Sequence, residues 1–367
     1  LTGNNSEFYR GKKKRTGPAL IASIVVLSLV AFVILLFYGL QKYIVVTGDG
    51  LYLDIPLLSG TKITDTDEDG TVTRQFEQVD AELIVGEPDY TNIKATAGEN
   101  LSAVKAVMVP ADSINAQSVE TYAASLGEGD TLLLDVKTVT GMLVWNSKVE
   151  LAAGYGTAGS VDLAAIVSSL KDKDIRVAAR ICCFVDNTLA SRYSQLALKT
   201  ADGTAFSDEN GAWLDPTNTI VKGYIVDICK ELADMGVDEI VLNGMRMPET
   251  EGASFSYSAS STAEQTPQTV ISAFAISVAR SLRSAGVTLS VQVGSDSAMS
   301  SVDTVTGQSA GLFLKMFDRV YRTSSAENVS GELEAIAGQI TLGEAKFRYV
   351  PMVSGDAPDT ECWVLVD

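Results

Sequence analysis

Asp238-Glu-Ile-Val-Leu-Asn-Gly-Met-Arg-Met-Pro248 reads as a buried parallel strand whose C-terminal end carries polar groups, the arrangement a barrel enzyme uses to hold its chemistry. The decisive polar residue is Asn243, an amide that cannot ionise, attack an anomeric carbon or take a proton from water. From this strand the pattern extends both ways as short apolar runs alternating with helical stretches, the signature of βα units. Eight strands are expected: Val104–Pro110, Thr131–Lys137, Ile175–Phe184, Glu239–Arg246, Thr288–Val293, Arg319–Thr323, Phe347–Met352 and Cys362–Val366. Helices are expected at Ala116–Leu126, Val161–Lys173, Asn187–Leu198, Ile220–Met235, Pro267–Ser284, Ala310–Met316 and Glu332–Ile340, with Gly236 and Gly286 as left-handed caps. Roughly 260 residues with eight such units is the size of a (β/α)8 TIM-type barrel. An open doubly wound sheet is the rival, but no G-x-G-x-x-G follows the first strand.

The rest of the 367 residues precedes the barrel. Pro18–Leu40 is an uncharged apolar run of the length that spans about 30 Å of hydrocarbon, so a single transmembrane helix is expected. A secretory signal is the alternative, yet the run exceeds the roughly 7–15 residues of such a segment and no small-x-small site follows it. Arg10-Gly-Lys-Lys-Lys-Arg15 precedes the run and only Lys42 lies near its far end, which places the N-terminus in the cytoplasm and the remainder outside the cell. The expected organisation is a basic tail at 1–17, the membrane helix at 18–40, a β-rich stalk or hairpin at 41–100 and the barrel at 101–367. In the stalk, Tyr43–Thr47, Gly50–Ile55 and Thr71–Gln75 alternate like short strands. Asp65-Thr-Asp-Glu-Asp-Gly70 matches half of a calcium loop, but Phe76 stands where a bidentate Glu is needed, so an acidic turn is expected.

The chain carries −18 overall, and because the first 15 residues hold five Lys/Arg and one Glu, the remainder stands at −22. Such an exterior argues against nucleic acid and other polyanions. There is no histidine, which removes Ser-His-Asp, Cys-His and His-ligated metal chemistry. Cys182, Cys183, Cys229 and Cys362 show no metal spacing and read as small buried hydrophobes, and an exported chain without visible disulfides points to a bacterium. No cofactor or metal is expected.

The strand ends read in order as Asp112 and Ser113, Asp135 and Lys137, Asp186, Asn243 and Arg246, Gln292 and Asp296, Arg322, Asp356, and Asp367, a polar ring compatible with sugars. Trp145, Trp213 and Trp363 lie in or near the same loops, where they either stack on pyranose faces or pack. Asp135 near Arg180 is either functional or an internal ion pair, and Arg246 either orients a substrate hydroxyl or carboxylate or braces the loops.

Thr131-Leu-Leu-Leu-Asp-Val-Lys137, Ser147-Lys-Val-Glu-Leu-Ala152, Leu170–Arg180, Ala212-Trp-Leu-Asp-Pro-Thr-Asn218 and Gly236–Pro248, taken in this order, resemble the glycoside-hydrolase-like barrel domain of bacterial cell-surface proteins over most of residues 104–367. The resemblance implies an amylase-related barrel with an acid on the fourth strand in a pattern close to F-D-Y-x-R-F-P and another after the fifth in a pattern close to S-A-D-V-F-G. Here Leu242-Asn-Gly-Met-Arg-Met-Pro248 and Ser290-Val-Gln-Val-Gly294 put amides, Asn243 and Gln292, in both places, while Asp135, Arg180, Trp213 and Arg246 match. Paired-acid hydrolysis needs two carboxyls about 5 Å or 6.5–9.5 Å apart. Asp135 supplies one candidate and Asp296, Asp186, Glu249 or Glu251 a second, with Asn243, Arg246, Gln292, Arg180, Trp213 and Asp186 as candidate substrate contacts. Three functions remain open: hydrolysis of envelope or environmental polysaccharide by displaced acids, glycan binding without catalysis, and an envelope scaffold that uses the barrel to hold a protein partner.

Overall fold

The computed structural model describes Leu27 and residues 44–47, 50–53, 101–259, 265–295 and 297–366. The expected membrane segment, apart from Leu27, the Asp65–Gly70 turn, the Thr71–Gln75 run, Asp296 and Asp367 lie outside the described residues. Among the described residues no helix is long and apolar enough to cross a membrane. The chain divides into two units, Leu1–Ile84 and Val85–Asp367. In the first, Ile44–Thr47 pairs antiparallel with Gly50–Leu53, Ile44 opposite Leu53 and Thr47 opposite Gly50, the hairpin that the alternating runs predict.

In the second unit eight strands close into a parallel barrel in chain order: β1 (Lys105–Val109), β2 (Thr131–Lys137), β3 (Arg176–Cys182), β4 (Glu239–Asn243), β5 (Thr288–Val293), β6 (Arg319–Thr323), β7 (Tyr349–Val353) and β8 (Trp363–Leu365). β8 pairs with β1 to complete the ring, Val364 opposite Ala106. All eight stand where the sequence places them. The largest difference is at β4, which stops at Asn243 rather than Arg246 because Gly244 adopts φ +63° and turns the chain out of the ladder. That turn lifts Arg246 above the strand end.

Helices α1 (Ala116–Ala123), α2 (Leu163–Lys171), α3 (Thr219–Asp234), α4 (Pro267–Leu282), α5 (Ala310–Phe313), α6 (Val329–Ala337) and α7 (Leu342–Arg348) are the main helices of the outer layer. Asn115, Asp162, Asn218 and Thr266 cap the first four by accepting from a first-turn N–H. α3 buries Val221, Ile225, Ile228, Cys229 and Leu232 along one stripe, as its apolar spacing predicts. Gly236 and Gly286 take the left-handed conformation expected of helix caps. The four cysteines are free and buried.

The sequence reading needs correction in two helical stretches. Asn187–Leu198 contains only one helical turn, Leu189–Arg192. Leu196, Ala197 and Leu198 are buried in succession and pair with neighbouring backbone instead, Leu198 N donating to Trp213 O at 2.8 Å and Asp215 N to Leu196 O at 2.9 Å, so their apolar character reflects extended packing. Phe347 and Arg348, expected in the seventh strand, close helix α7. The start of α7 is set by a capping box, Thr341 accepting from Glu344 N while the Glu344 carboxylate accepts from Thr341 N.

Candidate functional site at the strand ends

Inward-facing side chains fill the barrel in levels. At its base Glu239 Oε2 lies 2.6 Å from Arg319 Nη1, and Glu239 Oε1 accepts from Ser290 Oγ at 2.6 Å and from Tyr321 OH at 2.8 Å. These four groups are buried, and burial, then the Glu239 charge, pushes the Tyr321 hydroxyl far up. Above them Leu133, Ala178, Val241, Val350 and Val364 form an apolar plug. The barrel is a packed core with its polar surface at the two ends.

The upper level is a belt across four strands. Arg180 Nη1 (β3) donates to Asp135 Oδ1 (β2) at 2.9 Å, and Arg180 Nε donates to Gln292 Oε1 (β5) at 2.8 Å. Gln292 Nε2 in turn donates to Thr323 Oγ1 (β6) at 3.2 Å. The Asp135 and Arg180 side chains are 13% and 17% exposed. Burial pushes the Asp135 carboxyl above its ordinary range, and the Arg180 charge and hydrogen bond pull it only partly back. Asp135 Oδ2 and the side-chain amide of Asn243 make no hydrogen bond among the described residues. Of the two amides, Asn243 is therefore open to a ligand, whereas Gln292 is engaged through both of its polar atoms.

The remaining candidates separate clearly. Asp186 is wholly buried: its Oδ2 is 3.0 Å from Lys137 Nζ, its Oδ1 accepts from Leu189 N at 2.8 Å, and Lys137 also donates to Cys182 O at 2.9 Å. This internal pair joins the ends of β2 and β3. Gly141, at φ +83°, lies so close that a Cβ there would meet Asp186 Oδ1 at 1.8 Å. Trp213 is 1% exposed, its Nε1 donating to Asp208 Oδ1 at 2.9 Å, and it presents its face to Arg246, whose guanidinium carbon is 5.5 Å from the ring centroid. Trp213 thus packs under Arg246 and offers no open platform for a sugar. Trp145 is likewise buried, with Nε1 donating to Glu231 Oε2 at 3.0 Å. Arg246 Nη1 lies 2.9 Å from Glu249 Oε1 on the same loop. Asp112 and Asp356 are exposed on the rim.

Sequence reasoning missed three contributors. Gln308 is fully buried and ties the mouth together: Oε1 accepts from Gly294 N at 2.9 Å, and Nε2 donates to Met245 O at 3.2 Å. Thr323 and the Glu239–Arg319 pair were visible only as strand residues, because their partners are 31 and 80 positions away. A charged residue early in an otherwise apolar strand, as in Glu239 and Arg319, was the available signal for an internal pair. Among the described residues no cluster of His, Cys, Asp or Glu could hold a metal ion.

A cavity of about 740 Å³ opens away from this mouth. It lies on the helical flank, lined by Trp145, Lys148, Asp162, Asp227, Glu231 and Met235. A groove of about 330 Å³ adjoins it beside the exposed Ile220. The chemistry-bearing residues and this hollow thus occupy different faces.

An eight-stranded parallel barrel ringed by helices, with a polar belt at its strand ends, defines a (β/α)8 protein. Residues 109–322, more than half of the chain, match the family described as "Putative glycosyl hydrolase domain", and the chain belongs to that family. The glycoside hydrolase domain of PgaB (BpsB) from Bordetella bronchiseptica is similar in fold, with TM-score 0.51 and 12% identity over 72% of this chain and 94% of that one. A hypothetical protein from Ruminiclostridium thermocellum ATCC 27405 is 24% identical with TM-score 0.45, covering 50% of this chain and 96% of its own. No protein of curated function matches the chain.

Proposed function

We propose that the chain is a membrane-tethered barrel that binds an envelope or environmental polysaccharide at its strand ends without paired-acid hydrolysis. The observation that carries this reading is the upper belt: its one carboxylate, Asp135, is held by Arg180, and the two positions where the family resemblance implies acids are amides. A lone acid can protonate a leaving oxygen, but neither amide can attack the sugar or activate water. Both amides can still donate and accept hydrogen bonds to hydroxyls. The tether rests on the composition of Pro18–Leu40 and the basic cluster before it.

The test is a panel of oligosaccharides incubated with the full chain in detergent or vesicles, with retention and reducing-end release measured together. Retention without release is expected, and Asn243→Ala should weaken it. Turnover that disappears in Asp135→Asn with retention intact would show that a second acid has been rebuilt. A proteolysis experiment on intact cells checks the topology, since a barrel protected from external protease contradicts an outward-facing tether.

The flank cavity favours a second reading, a scaffold holding a protein partner, because this hollow of about 740 Å³ lies away from the belt. Cross-linking from Lys148 at that cavity should then recover the same partner repeatedly, and recovery of the chain alone would remove this reading.

A further inference from the structure

Three guanidiniums gather around the end of β5. Arg180 Nε donates to Gln292, Arg322 Nη1 donates to Ser295 O at 3.2 Å, and Arg246 Cδ stands 3.9 Å from where a Cβ on Gly294 would be. Each has a carboxylate partner, and the partners differ in kind. Asp135 and Glu332 are internal, their side chains 13% and 11% exposed, so those two pairs are closed. Glu249, the partner of Arg246, is 57% exposed.

That difference determines which arginine can take a ligand. An ion pair whose carboxylate is more than half exposed and only three residues from its partner is weakly held on the carboxylate side, so that carboxylate is readily exchanged. Arg246 itself is held in place, over the face of a Trp213 ring that is pinned by Asp208. Its Nη1 is shielded from solvent and, although close to Glu249, makes no aligned hydrogen bond among the described residues. A shielded guanidinium nitrogen without an aligned acceptor favours a planar group with two oxygens. Gly294 has no side chain at this point, and Arg246 Cδ, Gln308 Oε1 and Glu249 Oε1 all stand 3.9 Å from its absent Cβ.

We propose that Arg246 is the recognition point for the carboxylate of an acidic sugar, a uronate unit within the bound glycan, and that Glu249 occupies that place until the ligand displaces it. The inference rests on the reading of the strand ends as a glycan site. Asn243, three residues earlier, offers its open amide to a hydroxyl of the same or the adjoining sugar. The −22 carried beyond residue 15 opposes a dense polyanion, so the ligand is a mostly neutral glycan bearing isolated carboxylates.

The experiment compares tri- to hexasaccharides of glucose, galactose and mannose with their C6-oxidised uronate counterparts, by calorimetry on the full chain at low and moderate salt. The uronate form of the recognised sugar should bind about tenfold more tightly, equivalent to about 1.4 kcal/mol, with the advantage shrinking as salt rises. Glu249→Ala should strengthen uronate binding several-fold and leave the neutral form unchanged, because it removes a competitor. Arg246→Gln should reduce uronate binding to the neutral level while the melting temperature reports that the fold is intact. Neutral sugars bound as tightly as uronates, or a Glu249→Ala chain that binds uronates no better, would overturn the inference and leave the glycan reading standing. A chain that retains neither form refutes both.

Discussion

Replacing Arg180 with methionine isolates Asp135, and the size of the effect follows from the belt. The carboxyl, 13% exposed and already pushed upward by burial, loses the guanidinium 2.9 Å from its Oδ1. It then either stays ionised without a partner, at a cost of about 3–5 kcal/mol, or takes a proton. Against its ordinary value of 3.8, protonation costs roughly 4 kcal/mol at pH 7 and roughly 1.6 kcal/mol at pH 5. Gln292 Oε1 also loses its donor, about 1 kcal/mol at either pH. The expected loss is thus roughly 5 kcal/mol at pH 7 and about 2.5 kcal/mol at pH 5. The sign follows from proton linkage: the folded variant binds a proton that the unfolded chain has released, so stability falls as pH rises above the ordinary carboxylate range. Urea unfolding of both proteins at pH 5, 6 and 7 measures it. Equal losses at pH 5 and pH 7 would refute the assignment of Asp135 as the buried partner.

Three further substitutions probe the rest of the barrel. Glu239→Gln leaves Arg319 buried without its counter-ion and should cost about 3–5 kcal/mol, lowering the melting temperature by roughly 10 °C, and a loss under about 1 kcal/mol would mean that Ser290 and Tyr321 hold the base without the charge. Gly141→Ala places a methyl 1.8 Å from Asp186 Oδ1 at a positive φ and should destabilise by about 3 kcal/mol in the same assay, whereas an unchanged midpoint would show that the Lys137–Asp186 pair tolerates displacement. Asn243→Ala removes a side chain with no hydrogen bond, so stability should stay within about 0.5 kcal/mol while glycan retention drops, and a large stability loss would contradict its assignment as an open ligand group.

The strands were legible as short runs rich in Leu and Val bounded by turn residues, near-continuous in Thr131–Lys137 and alternating in Thr288–Val293. The helices were legible wherever one stripe faced the barrel, as in α3. Asn187–Leu198 misled because Leu196, Ala197 and Leu198 are buried where the backbone pairs across to Trp213 and Leu214, a contact that leaves no periodic trace. Thr341-Leu-Gly-Glu344 did carry a capping-box signal for α7, but the apolar run after it reads equally well as strand. At the site the sequence named Asp135, Arg180, Asn243, Gln292 and Arg246 but could not sort open groups from engaged ones. That sorting depends on contacts between residues 45 and 112 positions apart.

The belt suggests why an amide suits the β5 position. Arg180 serves two neighbours at once, one through Nη1 and the other through Nε, and with Asp135 ionised and Gln292 neutral the triplet carries no net charge. A glutamate at 292, only 9% exposed, would leave one uncompensated negative charge in a setting where burial already disfavours the Asp135 carboxylate. One of the two acids would then be driven to hold a proton, as hydrolysis by an acid and base requires. With glutamine there, Arg180 holds four strand ends as a neutral hydrogen-bonded belt through Asp135, Gln292 and Thr323. An amide at 292 thus makes the belt a structural tie, and the groups the proposed glycan site offers a ligand are the Asn243 amide, the second oxygen of Asp135 and, on displacing Glu249, the guanidinium of Arg246.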